Sequence, residues 1–159
     1  MTLYTATYNS PLGPIVIESD GEALTGLRFG DSGIGKALHP MPTHATSSLP
    51  IFDEAIQWLD DYFVGKRPCN VPRLNPQGTA FQKRVWKALL TIPYGKTVSY
   101  GELARMVSCK SAQAVGQAVG ANPIALFIPC HRVIAAHGQL GGYEYGIEIK
   151  KQLLHIEQL

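Results

Sequence analysis

The chain has 159 residues, enough for one domain or for two small ones that share a core. Hydrophobic residues make up 45% and the formal net charge is +2, a globular composition too weakly basic to argue for a nucleic-acid partner by itself. No apolar run approaches a membrane span, and the start MTLYTATYNS lacks the basic lead and apolar core of a signal peptide, so the expectation is a cytoplasmic protein with no membrane partner.

Leu3 to Tyr8 alternates bulky and small residues and predicts a strand. Pro11-Leu12-Gly13 marks a turn, Pro14 to Ser19 a second strand around Ile15-Val16-Ile17, and Asp20-Gly21 a hairpin returning as Ala23 to Phe29. These three make a small antiparallel sheet. Residues 30–50 are rich in Gly, Pro, Ser, Thr and His without periodicity, which predicts a surface loop with His39 and His44 solvated. Phe52, Ile56, Leu59 and Phe63 recur at helical spacing, so Ile51 to Val64 predicts an amphipathic helix with Asp53, Glu54, Asp60 and Asp61 on its wet side. Gly65 to Gly78 holds three prolines and reads as an irregular connector, dividing the chain into lobes of residues 1–72 and 73–159.

Thr79-Ala80-Phe81-Gln82 has the form of a capping box, opening a helix with Phe81, Val85 and Leu89 on one face and Pro93 and Gly95 at its end. Its Lys83, Arg84 and Lys87 suit a phosphate backbone or plain solvation. A helix-turn-helix pattern follows: Tyr100 to Val107, a turn at Ser108 to Lys110, then Ser111 to Ala121. Ala112, Gly116 and Gly120 lie four apart and form a flat stripe. Each glycine costs a helix about 1 kcal/mol relative to alanine, so either close helix packing or close approach to a nucleic-acid groove must compensate. Asn122-Pro123 ends the helix, and Asn122 can cap the turn. Ile124 to Ile128 predicts a buried strand that stops at Pro129. Ile134 to Gly142 is a glycine-bearing loop. Ile147 to Gln158 is the last helix, with Ile149, Leu153 and Ile156 inward and Lys150 and Lys151 partly in solvent. Glu157 runs against the helix dipole, a hint of a tertiary partner.

Three cysteines, Cys69, Cys109 and Cys130, show no paired spacing, and no CxxC is present, so neither a disulfide framework nor a metal site is expected. Cys130, at the end of a strand, can face a cleft, and His131 and Arg132 beside it favour the thiolate. The residues alone leave open an inert buried thiol.

PCHRV at Pro129 to Val133, with AVGQAVGANP (Ala114 to Pro123), GGYEYG (Gly141 to Gly146), LLHIE (Leu153 to Glu157) and FQKRVWKALLTIPYGKTVSYGELA (Phe81 to Ala104), resembles the O6-alkylguanine-DNA alkyltransferases. The resemblance is dense over the last half of the chain and rests on strand pattern in the first. It implies an α/β fold: a ribonuclease H-like lobe with a small antiparallel sheet and a helix, then a mostly helical lobe with a winged helix-turn-helix. It implies a monomer that binds double-stranded DNA carrying O6-alkylguanine, with O4-alkylthymine as a further substrate, and flips the base out of the stack. The alkyl group passes irreversibly to Cys130, once per molecule and without a cofactor.

The resemblance makes His131 the base acting through a water, Glu157 the group that orients it, and Asn122 the link from recognition helix to active site. Tyr100 falls near guanine N3 and the rotating phosphate, although packing at a helix start would also explain it. The implied DNA contacts are Ala112, Gln113 and Gly116 in a minor groove, with Lys110 and Arg132. The implied pocket uses the carbonyls of Cys130 and Val133, the backbone N–H of Glu144, Tyr143 and Lys150. Some members hold zinc in the first lobe, but Cys69 is the first cysteine here, so that site lacks its ligands.

Two positions depart from the family pattern. Gln113 stands where an arginine usually fills the gap left by the flipped base, which predicts weaker flipping. Tyr145 stands where glycine is usual, and with Glu144 it makes a bulkier, negative loop that bears on pocket width and on affinity for larger adducts. Three other readings compete: a lesion sensor without transfer chemistry, which the presence of Cys130 opposes; a cysteine hydrolase, which lacks an evident oxyanion loop; and a helix-turn-helix regulator, for which the chain has no room for an extra domain.

Overall fold

The computed structural model describes residues 3–30, 49–68 and 70–158. Most of the predicted loop, with His39 and His44, and Cys69 lie outside the described residues. Strands β1 (Tyr4–Ser10), β2 (Gly13–Ser19) and β3 (Leu24–Phe29) form an antiparallel meander in that order. Ser10 pairs with Gly13, so two residues close the first hairpin, and Gly13 takes a φ of 111° that suits glycine. The central strand β2 buries Ile15, Val16 and Ile17 completely.

Helix α1 (Pro50–Phe63) starts on a proline and buries Ile51, Phe52, Ala55, Trp58, Leu59 and Tyr62. Its buried face is turned from the predicted one, with Ile56 and Phe63 only half-buried. Two large aromatics take the inside instead. Trp58 stacks on Tyr62 at 5.2 Å and meets Phe127 at 4.5 Å, joining the two halves of the chain in one hydrophobic core.

The far edge of the sheet does not stay open. The Leu24 N–H donates to the Arg73 carbonyl at 2.8 Å, the Leu27 N–H to Pro123 at 3.0 Å, and the Ala125 N–H to Leu27 at 3.1 Å. The N-terminal sheet thereby grips the segment that leads into Cys130. The strand expected over Ile124 to Ile128 is instead a tight loop. Leu126 takes a φ of 70°, the Phe127 N–H turns to Ala125, and the Ile128 N–H turns to Ile124. All five side chains are buried, and a short apolar run records burial without distinguishing strand from loop.

The next three helices are capped by side chains, the first of them as predicted. Thr79 and Gln82 exchange both bonds of a capping box at the start of α2 (Ala80–Leu89), and Ser99 and Glu102 do the same for α3 (Tyr100–Met106). Ser111 caps α4 (Ala112–Gly120). The buried Trp86 indole donates to the Ala118 carbonyl at 2.8 Å, fixing α2 against α4. Two-residue strands β4 (Val98–Ser99) and β5 (Val133–Ile134) pair in parallel, and α5 (Ile147–Gln158) closes the chain. No helix among the described residues is long and apolar enough to cross a membrane.

Candidate active site

Pro129 precedes a single 3-10 turn, Cys130–Arg132, which runs directly into β5. Pairing of Val98 with Val133 and Ser99 with Ile134 sets the start of α3, and so Tyr100, beside Cys130. The thiol lies in a cavity of about 170 Å³ lined by Tyr100, Gly116, Val119, Gly120, Gly142, Tyr143 and Glu144. Three walls meet there: the first residue of α3, the small-residue stripe of α4, and the loop before α5. Gly141 in that loop has a φ of 71°, and a Cβ on it would come within 3.2 Å of the Tyr100 ring, so the close approach depends on glycine. Asn122 is buried. Its Nδ2 donates to the Ile128 carbonyl at 2.8 Å, its Oδ1 accepts from the Ile124 N–H at 3.0 Å, and its amide also reaches the thiol.

Behind the thiol, Glu157 is a hub. Its Oε1 accepts from Arg132 Nε at 2.7 Å and from the Gly95 N–H at 3.1 Å. Its Oε2 accepts from the Tyr62 hydroxyl at 2.7 Å and pairs with His131 Nε2. Burial works against the carboxylate charge, but the hydrogen bond and charge of His131, then those of Arg132, hold the carboxyl well below its usual range. Burial pulls the His131 imidazole down, against the raising pull of Glu157. A neutral imidazole that donates from Nε2 keeps its lone pair on Nδ1, which is buried and has no partner among the described residues. The tertiary partner hinted at for Glu157 is therefore this cluster.

The electrostatics correct one expectation. Burial pushes the Cys130 thiol up to about 11, with Glu144 adding to the rise and Asn122 and Lys150 opposing it. Arg132 does not favour the thiolate, because its guanidinium turns to Glu157 and to the Ile92 carbonyl at 2.8 Å. A resting thiol of this kind needs a base at the moment of attack, and His131 is the adjacent one. The same burial overturns Arg132 as a DNA contact: it is 8% exposed and neutralised by Glu157. Lys150 was expected partly in solvent or at the pocket and is completely buried under the loop. Its ammonium donates to the carbonyls of Val133 (2.7 Å), Leu140 (2.6 Å) and Gly142 (3.0 Å). Burial brings its pKa down to about 8, with Cys130 opposing. The Val133 carbonyl keeps one lone pair beyond the one Lys150 uses.

On the outside, Ala112 and Gln113 are exposed at the start of α4, with Lys110 exposed in the preceding turn. The stripe does not serve helix packing. Among the described residues, a Cβ on Gly116 would meet only the Tyr100 ring at 3.7 Å, and one on Gly120 would meet nothing within 4 Å. Tyr145 does not narrow the thiol cavity. It turns away and packs on Phe29 at 5.2 Å, while Tyr143 and Glu144 form the wall.

Residues 80–159 match the family described as 6-O-methylguanine DNA methyltransferase, DNA binding domain, and residues 3–70 match 6-O-methylguanine DNA methyltransferase, ribonuclease-like domain. A methylated-DNA–protein-cysteine methyltransferase of Mycobacterium tuberculosis is 45% identical over 157 residues, 98% of this chain and 93% of its own. This chain belongs to the 6-O-methylguanine DNA methyltransferase family. A methylated-DNA–protein-cysteine methyltransferase of Methanosarcina acetivorans is 43% identical and is covered over 98% of each chain. The crystal structure of the Mycobacterium tuberculosis O6-methylguanine methyltransferase superposes with a TM-score of 0.85 at 44% identity, over 99% of this chain and 93% of that one. The structure of Mycobacterium tuberculosis OGT in complex with DNA gives 0.83 at 45% identity, over 96% and 91%.

In this 6-O-methylguanine DNA methyltransferase family member, two features escaped the sequence reading. Tyr62, a polar-tipped ring on the inner face of α1, joins the Glu157 cluster from the other lobe. Charge is also segregated along the chain. Between residues 62 and 143 the only acid is Glu102, against Lys66, Arg67, Arg73, Lys83, Arg84, Lys87, Lys96, Arg105, Lys110 and Arg132. The net charge of +2 hides this basic block, and counting charge by segment would have found it. No group of three His, Cys, Asp or Glu able to hold a metal ion occurs among the described residues.

Proposed function

We propose that this chain repairs alkylated DNA by moving the O6-alkyl group of guanine onto Cys130. The observation that carries the reading is a buried thiol at the floor of a cavity roofed by a glycine stripe, with the His131–Glu157 pair behind it. The recognition helix α4 lies in the groove of the duplex, and the damaged nucleotide swings into the cavity at a cost of a few kcal/mol. Cys130 passes its proton through a water to His131, and the sulfur attacks the alkyl carbon. An S–C bond forms, the C–O6 bond breaks, and the departing guanine takes a proton, with Tyr100 as the donor at hand. Glu157 holds His131 in the reactive tautomer and stabilises the imidazolium, and Asn122 holds the segment between recognition helix and thiol.

The product is a thioether with no ready route back, so each molecule acts once. Methyl adducts, the smallest, are the main substrate in this reading. The chain acts as a monomer in the cytoplasm, where free thiols such as Cys109 and Cys130 stay reduced. The lobes of residues 1–72 and 73–159 divide the work, with the second one reading DNA.

The test is intact mass after mixing with a duplex containing one O6-methylguanine. The expected result is a gain of one methylene (methyl replacing hydrogen), stoichiometric with lesion and absent in Cys130→Ala. Unmodified protein beside unrepaired DNA would reject the reading.

A further inference from the structure

We infer that Tyr62, supplied by the N-terminal lobe, is a positioning residue for alkyl transfer, acting on His131 through the Glu157 carboxylate. The inference rests on the reading of Cys130 and His131 just given. Tyr62 is fully buried, and its ring is held by Trp58 stacked at 5.2 Å and by the edges of Phe63 at 5.2 Å and Tyr94 at 5.9 Å. The hydroxyl therefore has little freedom, and its 2.7 Å bond to Glu157 Oε2 spans 95 residues of sequence.

A carboxylate offers about four lone-pair directions. Glu157 meets four donors: Arg132 and Gly95 on one oxygen, Tyr62 and His131 on the other. With every direction used, the carboxylate neither turns nor takes up a proton without losing a bond. The Tyr62 oxygen stands 3.5 Å from His131 Nε2, a poor hydrogen-bond distance, so the ring proton on Nε2 goes to Glu157 and the lone pair stays on Nδ1. Burial, and then the Glu157 charge, raise the Tyr62 hydroxyl well above its ordinary range, so it stays a neutral donor while the histidine titrates.

The same bond sets how basic the histidine is. A carboxylate oxygen that already accepts from Tyr62 attracts the Nε2 proton less strongly. Without the hydroxyl, Oε2 serves His131 alone, the imidazolium is stabilised further, and the neutral base persists only at higher pH. The other titratable or charged groups around this cluster are Arg132 and Cys130 on the catalytic turn, Tyr94 after α2 with Arg67 over its outer face, Tyr143 in the loop and Lys150 on α5. None of them is altered by the substitution.

The experiment is single-turnover methyl transfer from O6-methylguanine duplex to the full chain, followed by rapid quench from about pH 5.5 to 9, for the parent and Tyr62→Phe. The expected result is a rate–pH midpoint moved up by roughly half to one unit, a several-fold loss of rate at neutral pH, and unchanged affinity for duplex. A purely structural role would lower thermal stability but leave the midpoint in place, and that result, or an unchanged profile, overturns the inference. Should Tyr62→Phe not fold, 3,5-difluorotyrosine placed at position 62 strengthens the donor with little change of shape, and the midpoint must then move down. A stationary midpoint overturns the inference there too. A parent chain that accepts no methyl group would reject the repair reading itself, and with it this inference.

Discussion

The ring of Tyr100 and the backbone of Gly116 face each other across the mouth of the thiol cavity, with 3.7 Å between the ring and the place where a Cβ would stand. One turn later, a Cβ on Gly120 would meet none of the described residues within 4 Å. A helix that spends two glycines on an exposed stripe sacrifices stability for close approach by something outside the chain. Gly120→Ala should therefore stabilise the fold by about 0.5–1 kcal/mol in denaturant unfolding while weakening duplex binding several-fold. Lower stability, or binding as tight as the parent's, would mean that the stripe is not a groove-facing surface.

The basic block between residues 62 and 143 makes a second prediction about DNA. Lys83, Arg84 and Lys87 stand exposed on α2, a helix without a single acidic residue. Where such a side chain meets a phosphate, its neutralisation lowers the slope of log affinity against log salt by about one. Titrating duplex at several salt concentrations with Lys83→Gln, Arg84→Gln and Lys87→Gln separates contacts from bystanders. Slopes identical to the parent's in all three would leave α2 as a solvated face only.

What the sequence carried, and what it withheld, follows from the range of the interactions involved. The capping boxes of Thr79 and Ser99 are written within four residues, so local chemistry sufficed for the first of them. The order of motifs around Cys130 was legible because the site is built mainly from one contiguous half of the chain. Long-range facts were not legible. Ile124 to Ile128 is apolar because the sheet edge and α1 cover it, and coverage does not dictate a strand. Arg132 reads as a free cation until Glu157, 25 residues away, claims it. Tyr145 reads as added bulk in the loop that walls the pocket until Phe29, from the other lobe, provides a surface for its ring.

Gln113 sits exposed on the first turn of α4, where the family pattern has arginine. The amide can hydrogen-bond an orphaned base but carries no charge and stacks less well than a guanidinium. Gln113→Arg should speed repair in duplex DNA and leave the rate on a single-stranded lesion unchanged, since only the duplex demands a filler for the gap. Equal duplex rates would show that glutamine fills that role adequately.

Arg132 and Glu157 form a buried pair, with side chains 9% and 1% exposed. Removing one partner strands the other, at a typical cost of 3–5 kcal/mol. Glu157→Gln keeps the shape and should cost about 3 kcal/mol in urea unfolding at neutral pH. Because the folded carboxyl is held below its unfolded value, its contribution is full above the ordinary carboxylate range and fades as pH falls beneath it. Parent and variant should therefore converge in acid. A constant gap at all pH values would place the cost in packing rather than in charge.

The thiol titrates in the opposite sense. Folding raises the Cys130 pKa from 9 to about 11, so the folded chain holds this proton more tightly than the unfolded one. The resulting stabilisation is complete below pH 9 and is lost as pH climbs towards 11, a loss on the order of 3 kcal/mol. Other tyrosines and lysines titrate in the same window, so the quantity to measure is the difference between the parent and Cys130→Ala. That difference should fall with rising pH across the window. Over the same range, labelling of Cys130 by iodoacetamide should rise about tenfold per unit instead of levelling near pH 9, because reactivity follows the thiolate. Rapid labelling at neutral pH, with parallel stability curves, would show that the resting sulfur is already ionised and would remove the need for His131 to act as its base.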